Sequence, residues 1–106
     1  MSIITHLRSL LASASLLTLA TTALAQPLTL DVYNPGDKAI FPVTSTLISG
    51  EREAILVDAQ FSNREAQELV ERIQASGKTL TTIFISHGDP DFYFGLDTLT
   101  RAFPKA

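Results

Sequence analysis

The sequence has 106 residues, no cysteine and a formal net charge of −3 at pH 7. This mild acidity, without a cluster of Lys or Arg, argues against a nucleic-acid-binding domain and offers no basic patch to an anionic membrane. Because disulfides cannot stabilise a small exported domain that lacks cysteine, we expect an efficient core, a partner chain, or one piece of a larger domain.

The first 25 residues have the pattern of a secretory signal. A single cation near the start, Arg8, precedes an apolar stretch over residues 10–20. The segment ends in Ala23-Leu24-Ala25, the small-x-small pattern that signal peptidase recognises. We therefore predict cleavage after Ala25, a mature domain over residues 26–106, and a periplasmic or secreted location.

A retained membrane anchor over residues 9–30 is the alternative for this segment, because the stretch is uncharged and long enough to cross a bilayer. Many Ser and Thr residues interrupt it, Gln26 and Pro27 follow, and its strongly apolar part is short. These features favour cleavage, after which we expect no contact with a membrane.

The remainder of the chain predicts the order strand, strand, strand, helix, strand, loop, helix. Alternating or continuous apolar runs indicate the strands, and Pro42 interrupts the second one, which suggests an edge or a bulge. A short closing helix is indicated by one apolar face and ends at Pro104. The predicted strands are 28–33, 39–49, 54–57 and 79–86, and the closing helix carries Leu96, Leu99 and Phe103 on its apolar face.

The clearest helix is predicted over residues 62–76. Ser62 and Glu65 have the spacing of a capping box, in which two side chains satisfy the free N–H groups of the first turn. Gly77 stands where a left-handed residue ends a helix. The apolar stripe of the helix consists of Ala66, Leu69, Val70 and Ile73.

The strand at 54–57, this helix and the strand at 79–86 form a predicted βαβ crossover, which places the two strands parallel. Ligands bind at the carboxyl ends of the strands in open sheets of this kind. Asp58 and His87 both occupy such strand ends. We therefore expect the functional site at this edge of the sheet.

The loop after the last strand carries three potential metal ligands at alternate positions, His87, Asp89 and Asp91. In an extended loop this spacing can turn the side chains toward one point, and imidazole with carboxylate suits zinc and similar divalent ions. An ordinary turn is the alternative, with His87 as a hydrogen-bonded histidine at a strand end.

Together, the order of elements and this loop resemble the metallo-β-lactamase superfamily. That family has an early hairpin, a strand ending in Asp, and a loop of the form His-x-His-x-Asp-His that leads into a Gly-containing helix. The corresponding segments are 46–50, 56–59, 87–92 and 93–96. The resemblance covers residues 28–106, but only the first half of the family's fold. It implies an α/β fold, the αββα sandwich, with a mixed sheet whose helices pack on one side.

The loop departs from the family pattern at two positions. His87 matches the first histidine and Asp91 the motif aspartate, whereas Asp89 replaces the second histidine and Phe92 the last. The resemblance implies His87 and Asp89 at a first metal and leaves Asp91 alone for a second, because Phe92 has no lone pair. We therefore expect a single zinc or other divalent ion, or none, with Asp58 as a carboxylate that braces the loop.

The family's remaining ligands, two histidines and a bridging aspartate, follow later in its fold, and this chain has no histidine after His87. The resemblance implies an exported, metal-dependent hydrolase of an ester, amide or thioester bond in a small-molecule substrate, with Asp91 orienting the water and accepting its proton. We expect the chain alone to be inactive, and its stability to depend on the missing half or a partner chain.

Three other functions remain open from the sequence. A non-catalytic member of the same fold would have lost these ligands and kept the loop as structure. The start of an α/β-hydrolase would use Ser86-His87-Gly88 as an oxyanion loop, although no Gly-x-Ser-x-Gly elbow follows. An interaction domain would use the aromatic residues of segment 92–94, which more often anchor a following helix in the core.

Overall fold

The computed structural model describes residues 24–106, together with Ser15, Leu17 and Thr18. The predicted signal segment therefore lies almost entirely outside the described residues. Within the described part of the chain, no helix combines the length and hydropathy needed to cross a bilayer.

Within the described residues, four strands and three helices make up the fold. They follow the predicted order of strand and helix, with the closing segment divided into two short helices. Their bounds are β1 Thr29–Tyr33, β2 Ser45–Ser49, β3 Glu53–Val57, α1 Asn63–Ser76, β4 Thr79–Phe84, α2 Pro90–Tyr93 and α3 Leu96–Ala102, with a 3-10 turn at Gly36–Lys38 between β1 and β2.

The strands form one mixed sheet in the order β1-β2-β3-β4. The first three pair antiparallel, whereas β3 and β4 pair in parallel, which confirms the predicted crossover. Asp58 N donates to Phe84 O at 2.8 Å and extends this parallel ladder to its carboxyl end. The residues that follow β3 and β4 therefore start from one edge of the sheet.

Helix α1 forms where the capping pattern predicts it. Ser62 is the N-cap, and its hydroxyl accepts a hydrogen bond from Glu65 N at 3.4 Å. Gly77 ends the helix with φ at 70°, a conformation that glycine adopts at little cost. The predicted stripe of α1 is buried. Its members Leu69, Val70 and Ile73 belong to one core cluster with side chains of the sheet and of α3, among them Leu47, Leu56, Leu80 and Leu99.

The helices cover one face of the sheet, as the resemblance implies. The opposite face carries exposed apolar side chains on three strands, Leu30, Val32, Ile55 and Phe84. Successive side chains of a strand point to opposite faces, so these residues share the face away from α1. A mixed four-stranded sheet with helices on one side is consistent with part of a metallo-β-lactamase-like fold.

Three predicted bounds differ by two or more residues. The fourth strand ends at Phe84 rather than at residue 86. The other two bounds are wrong for local reasons. The second strand begins at Ser45 rather than at residue 39, because Asn34 holds the preceding segment as a loop. Its Nδ2 donates to Pro42 O at 3.0 Å and to Thr44 Oγ1 at 2.8 Å. The predicted loop after His87 is already helical from Pro90, since proline suits the first position of a helix.

Candidate functional site

The candidate site lies where Asp58 meets the segment after β4. Asp58 directly follows β3, is only 5% exposed, and has a left-handed φ of 66°. Its Oδ1 accepts from Ser86 N at 2.8 Å, and its Oδ2 accepts from Ser86 Oγ at 2.6 Å. One carboxylate therefore holds both the backbone N–H and the hydroxyl of Ser86, while the role of Asp58 beside a metal stays a prediction.

This network continues to His87, whose Nδ1 lies 2.6 Å from Ser86 Oγ. A serine hydroxyl has one proton, and the Asp58 carboxylate can only accept. If Ser86 donates to Asp58, the remaining hydrogen bond requires the proton on His87 Nδ1. In the neutral imidazole the free lone pair is then on Nε2, where it can bind a proton or a metal ion.

On its other side, His87 is packed against an aromatic ring. The rings of His87 and Phe92 are stacked, with centroids 4.3 Å apart and an interplanar angle of 26°. The residue that replaces the family's last motif histidine therefore contacts the first motif histidine directly. Phenylalanine has no lone pair, so this contact contributes packing and no ligand atom.

Asp89 and Asp91 take positions at the start of α2. Asp89 is the exposed N-cap residue, and its side chain makes no capping hydrogen bond. Asp91 lies in the first turn and is half-buried. Among the residues that the structure describes, no group of three His, Cys, Asp or Glu side chains is placed to hold a metal ion.

The predicted convergence of His87, Asp89 and Asp91 is therefore not seen in this arrangement, and their roles as ligands, like that of Asp91 as a base, stay predictions. A catalytic zinc site needs three protein ligands beside an open position for water. The arrangement seen here presents one imidazole, stacked on Phe92, and does not fit a divalent ion by itself.

Residues 58–60, which follow β3, form a platform under the loop. Ala59 N donates to Phe92 O at 2.7 Å, and Gly95 N donates to Gln60 O at 2.9 Å. A Cβ atom on Gly95 would overlap the carbonyl oxygen of Ala59, so only glycine allows this close approach. The two hydrogen bonds hold the second half of α2 and the start of α3 against the platform.

Gln60 connects the platform to the segment at the start of β2. It is fully buried and left-handed, with φ at 69°. Its Nε2 donates to Val43 O and to Ser45 Oγ, both at 2.8 Å, whereas its Oε1 has no partner among the residues that the structure describes. The side chain joins the platform to the start of β2 and compensates in part for the unfavourable backbone conformation.

Sequence reasoning missed Ser86, Gln60 and Gly95 as residues of this site. Ser86 could have been noticed, because a hydroxyl directly before a predicted ligand histidine can set its tautomer. No local signal marks Gln60, since a long polar residue after a strand gives no indication of a left-handed φ. The contact of Gly95 with Ala59 joins positions far apart in the chain and becomes visible only in the fold.

A separate cavity of about 250 Å³ lies beside the start of α1. Burial and the neighbouring carboxylate of Glu68 raise the pKa of Tyr33 in this cavity to about 12. The Glu65 carboxylate accepts from Arg64 at 2.7 Å and raises the pKa of that guanidinium. The cavity is lined by Tyr33, Asn34, Pro35, Lys38, Arg64, Glu65 and Glu68.

Comparison with known proteins places this fold and site in a family. A family model described as the Metallo-beta-lactamase superfamily matches residues 40–106, which include β2, α1 and the whole candidate site. The chain belongs to the metallo-β-lactamase superfamily. This membership decides against the α/β-hydrolase alternative.

A relative from Bacillus subtilis (strain 168), Uncharacterized protein YobT, is 34% identical over 68 residues. The match covers 64% of this chain and 29% of the relative. The chain thus spans less than a third of that relative's length. The superfamily generally binds divalent metals such as zinc and has a metallo-hydrolase fold.

Proposed function

We propose that this chain forms the first part of a metal-dependent hydrolase domain that acts on an ester, amide or thioester bond of a small molecule. Its own contribution would be to present one imidazole, that of His87, at the carboxyl edge of the sheet. The proposal depends above all on the hydrogen-bond chain from Asp58 through Ser86 to His87. Family membership supplies the reaction class, and this network supports the role of the imidazole.

The network matters because a ligand histidine must have a free nitrogen in a fixed direction. Metal-bound histidines commonly donate their second ring nitrogen to an oxygen of the protein, which fixes both tautomer and ring orientation. Ser86 Oγ is that oxygen for His87 Nδ1, and the buried Asp58 holds Ser86 in turn. A histidine in an ordinary turn needs no such support.

Any ligands beyond His87, Asp89 and Asp91 would come from residues other than those described. His87 is the only histidine in the predicted mature domain, since the other, His6, lies in the signal. The chain also spans a minor share of the relative's length, which leaves room for the rest of the set in a longer polypeptide. We therefore propose that these 106 residues alone do not hydrolyse substrate, while Asp89 and Asp91 stay predicted ligands and Asp91 the predicted proton acceptor.

Zinc titration of a longer polypeptide that contains this domain, followed through the imidazole NMR signals, tests the role of His87, because the described residues do not complete a metal site by themselves. We expect the Nε2 signal to shift with zinc while the Nδ1 proton is retained. Asp97→Asn is the matched control, because Asp97 is an exposed carboxylate that pairs with Arg101 on α3. If zinc bound equally well to His87→Ala, or left the His87 signals unchanged, the proposed role would be wrong.

A non-catalytic domain is the second candidate, and the stacking of Phe92 on His87 favours it. In that function the loop is structure only, and a longer polypeptide containing this domain would not hydrolyse esters, amides or thioesters. Assays of that longer polypeptide with and without zinc separate the two candidates. Zinc-dependent turnover that is lost in His87→Ala supports the hydrolase.

Export to the periplasm or outside the cell is part of the proposal and depends on residues 1–25. N-terminal sequencing of the exported protein tests it directly. We expect the mature chain to begin at Gln26, and an intact Met1 on membrane-bound protein would instead indicate a retained anchor.

A further inference from the structure

The His87 loop is defined as residues 86–92, and among the described residues it belongs to no group of three side chains placed to hold a metal ion. We infer that this loop closes without a metal ion, because Asp58 holds its first residue and the Phe92 ring and backbone hold its last. The stacking of the Phe92 ring on His87 joins the two ends of the loop. In the family pattern, two histidines at these positions would bind metal instead.

The first end of the loop is fixed by a carboxylate. Both oxygens of Asp58 accept hydrogen bonds from Ser86, one from the backbone and one from the hydroxyl. Hydrogen bonds to an ionised acceptor are shorter and stronger than neutral ones, and burial of Asp58 keeps water from competing. Ser86 is therefore anchored before any ligand reaches the loop.

The last end is fixed by Phe92 in three ways. Its ring stacks on His87, its carbonyl oxygen accepts from Ala59 N at 2.7 Å, and its N–H donates to Asp89 O at 3.0 Å. A histidine at this position could keep the two backbone bonds, but it would carry ring nitrogens that must be paired or hydrated. Phenylalanine packs on the imidazole without that requirement.

Protein contacts also hold the platform beneath the loop. Gln60 ties it to the start of β2, and the glycine at 95 lets α2 and α3 approach the carbonyl groups of Ala59 and Gln60. Each anchor of the His87 loop is thus a protein contact. This inference does not depend on the proposed hydrolase function, because a loop closed by protein contacts is compatible with an imidazole that later binds zinc.

Amide hydrogen exchange at Ser86 and Ala59 tests the inference, since their N–H groups donate to the two anchors. In the cleaved domain we expect exchange rates with a chelator and with zinc to agree within about two-fold, because local opening would not involve an ion. Phe92→Leu keeps an apolar side chain but loses the stacking, and should speed exchange at Ala59 by about three- to ten-fold.

Phe94→Leu is the matched control, because Phe94 lies on the same segment but stacks on Phe61 rather than His87. We expect it to leave exchange at Ala59 close to the wild-type rate. Phe92→Tyr keeps an aromatic face, so it should retain protection even if Phe92→Leu unfolds the domain.

Loss of protection at Ser86 and Ala59 in chelator, with recovery in zinc, would overturn the inference. Equal exchange in Phe92→Leu and wild type would also overturn it. Neither result decides the role of His87 in the proposed hydrolase, which the zinc titration measures separately.

Discussion

Replacement of Gly95 by alanine should destabilise the domain more than any nearby glycine substitution. Gly95 has φ at −77°, which alanine adopts freely, so the backbone conformation contributes no penalty. The new Cβ would overlap Ala59 O, lie 2.8 Å from the Ala66 Cβ and 3.1 Å from Gln60 O. Two of these three neighbours are backbone atoms, which cannot turn aside as a flexible side chain could.

The size of the effect follows from what must move. Overpacking a tight contact costs about 1–3 kcal/mol. Separation of the segments also weakens the bonds from Gly95 N to Gln60 O and from Ala59 N to Phe92 O, at about 0.5–1.5 kcal/mol each. Alanine also restricts the unfolded chain more than glycine does, and this offsets about 0.4–1 kcal/mol of the loss in stability. We expect Gly95→Ala to lower the free energy of unfolding by about 2–4 kcal/mol.

Urea denaturation of the cleaved domain measures this loss, and Tm should fall by about 10 °C or more for a domain of this size. Gly88→Ala is the matched control, because a Cβ there meets no atom within 4 Å and its φ is not left-handed. We expect the control to lie within about 0.5 kcal/mol of wild type. A neutral Gly95→Ala, or equal losses in both variants, would refute the close approach of α3 to the platform.

Two further predictions concern Tyr33 and the start of α1. The folded domain retains the Tyr33 proton up to about pH 12, against 10.0 for an ordinary tyrosine, so stability should fall by up to roughly 2 kcal/mol as the pH rises through this interval. Tyr33→Phe should remove that part of the decline in urea denaturation, and an unchanged pH dependence would contradict it. Ser62→Ala removes the acceptor for Glu65 N and should cost about 1 kcal/mol, whereas a neutral result would show that the 3.4 Å hydrogen bond contributes nothing.

The fold was largely predictable because its signals are local. The capping residues and apolar stripe identified α1, and the buried runs identified β3 and β4, whose parallel pairing follows from the helix between them. The late start of β2 was missed because hydrogen bonds from Asn34 to Pro42 O and Thr44 Oγ1 determine it. Strand propensity in that segment is overridden by a contact that its own sequence does not show.

The candidate site was predictable in position but not in arrangement. Asp58 and the segment that contains His87 start from the same edge of the sheet, because both follow strands that run in parallel, while their roles in a site stay predictions. Their connection through Ser86 requires distances that chain spacing does not give. The stacking of Phe92 on His87 was equally out of reach, since the turn from Pro90 into α2 brings the two rings together.

The tautomer of His87 at about pH 8, where an ordinary imidazole is neutral, can be read from its nitrogen NMR signals. A proton on Nδ1 is expected in the wild-type domain. In Asp58→Asn the amide would donate to Ser86 Oγ, so Ser86 should donate to Nδ1 and the proton should appear on Nε2. A proton already on Nε2 in the wild type would contradict the idea that Asp58 and Ser86 prepare this imidazole to bind a metal.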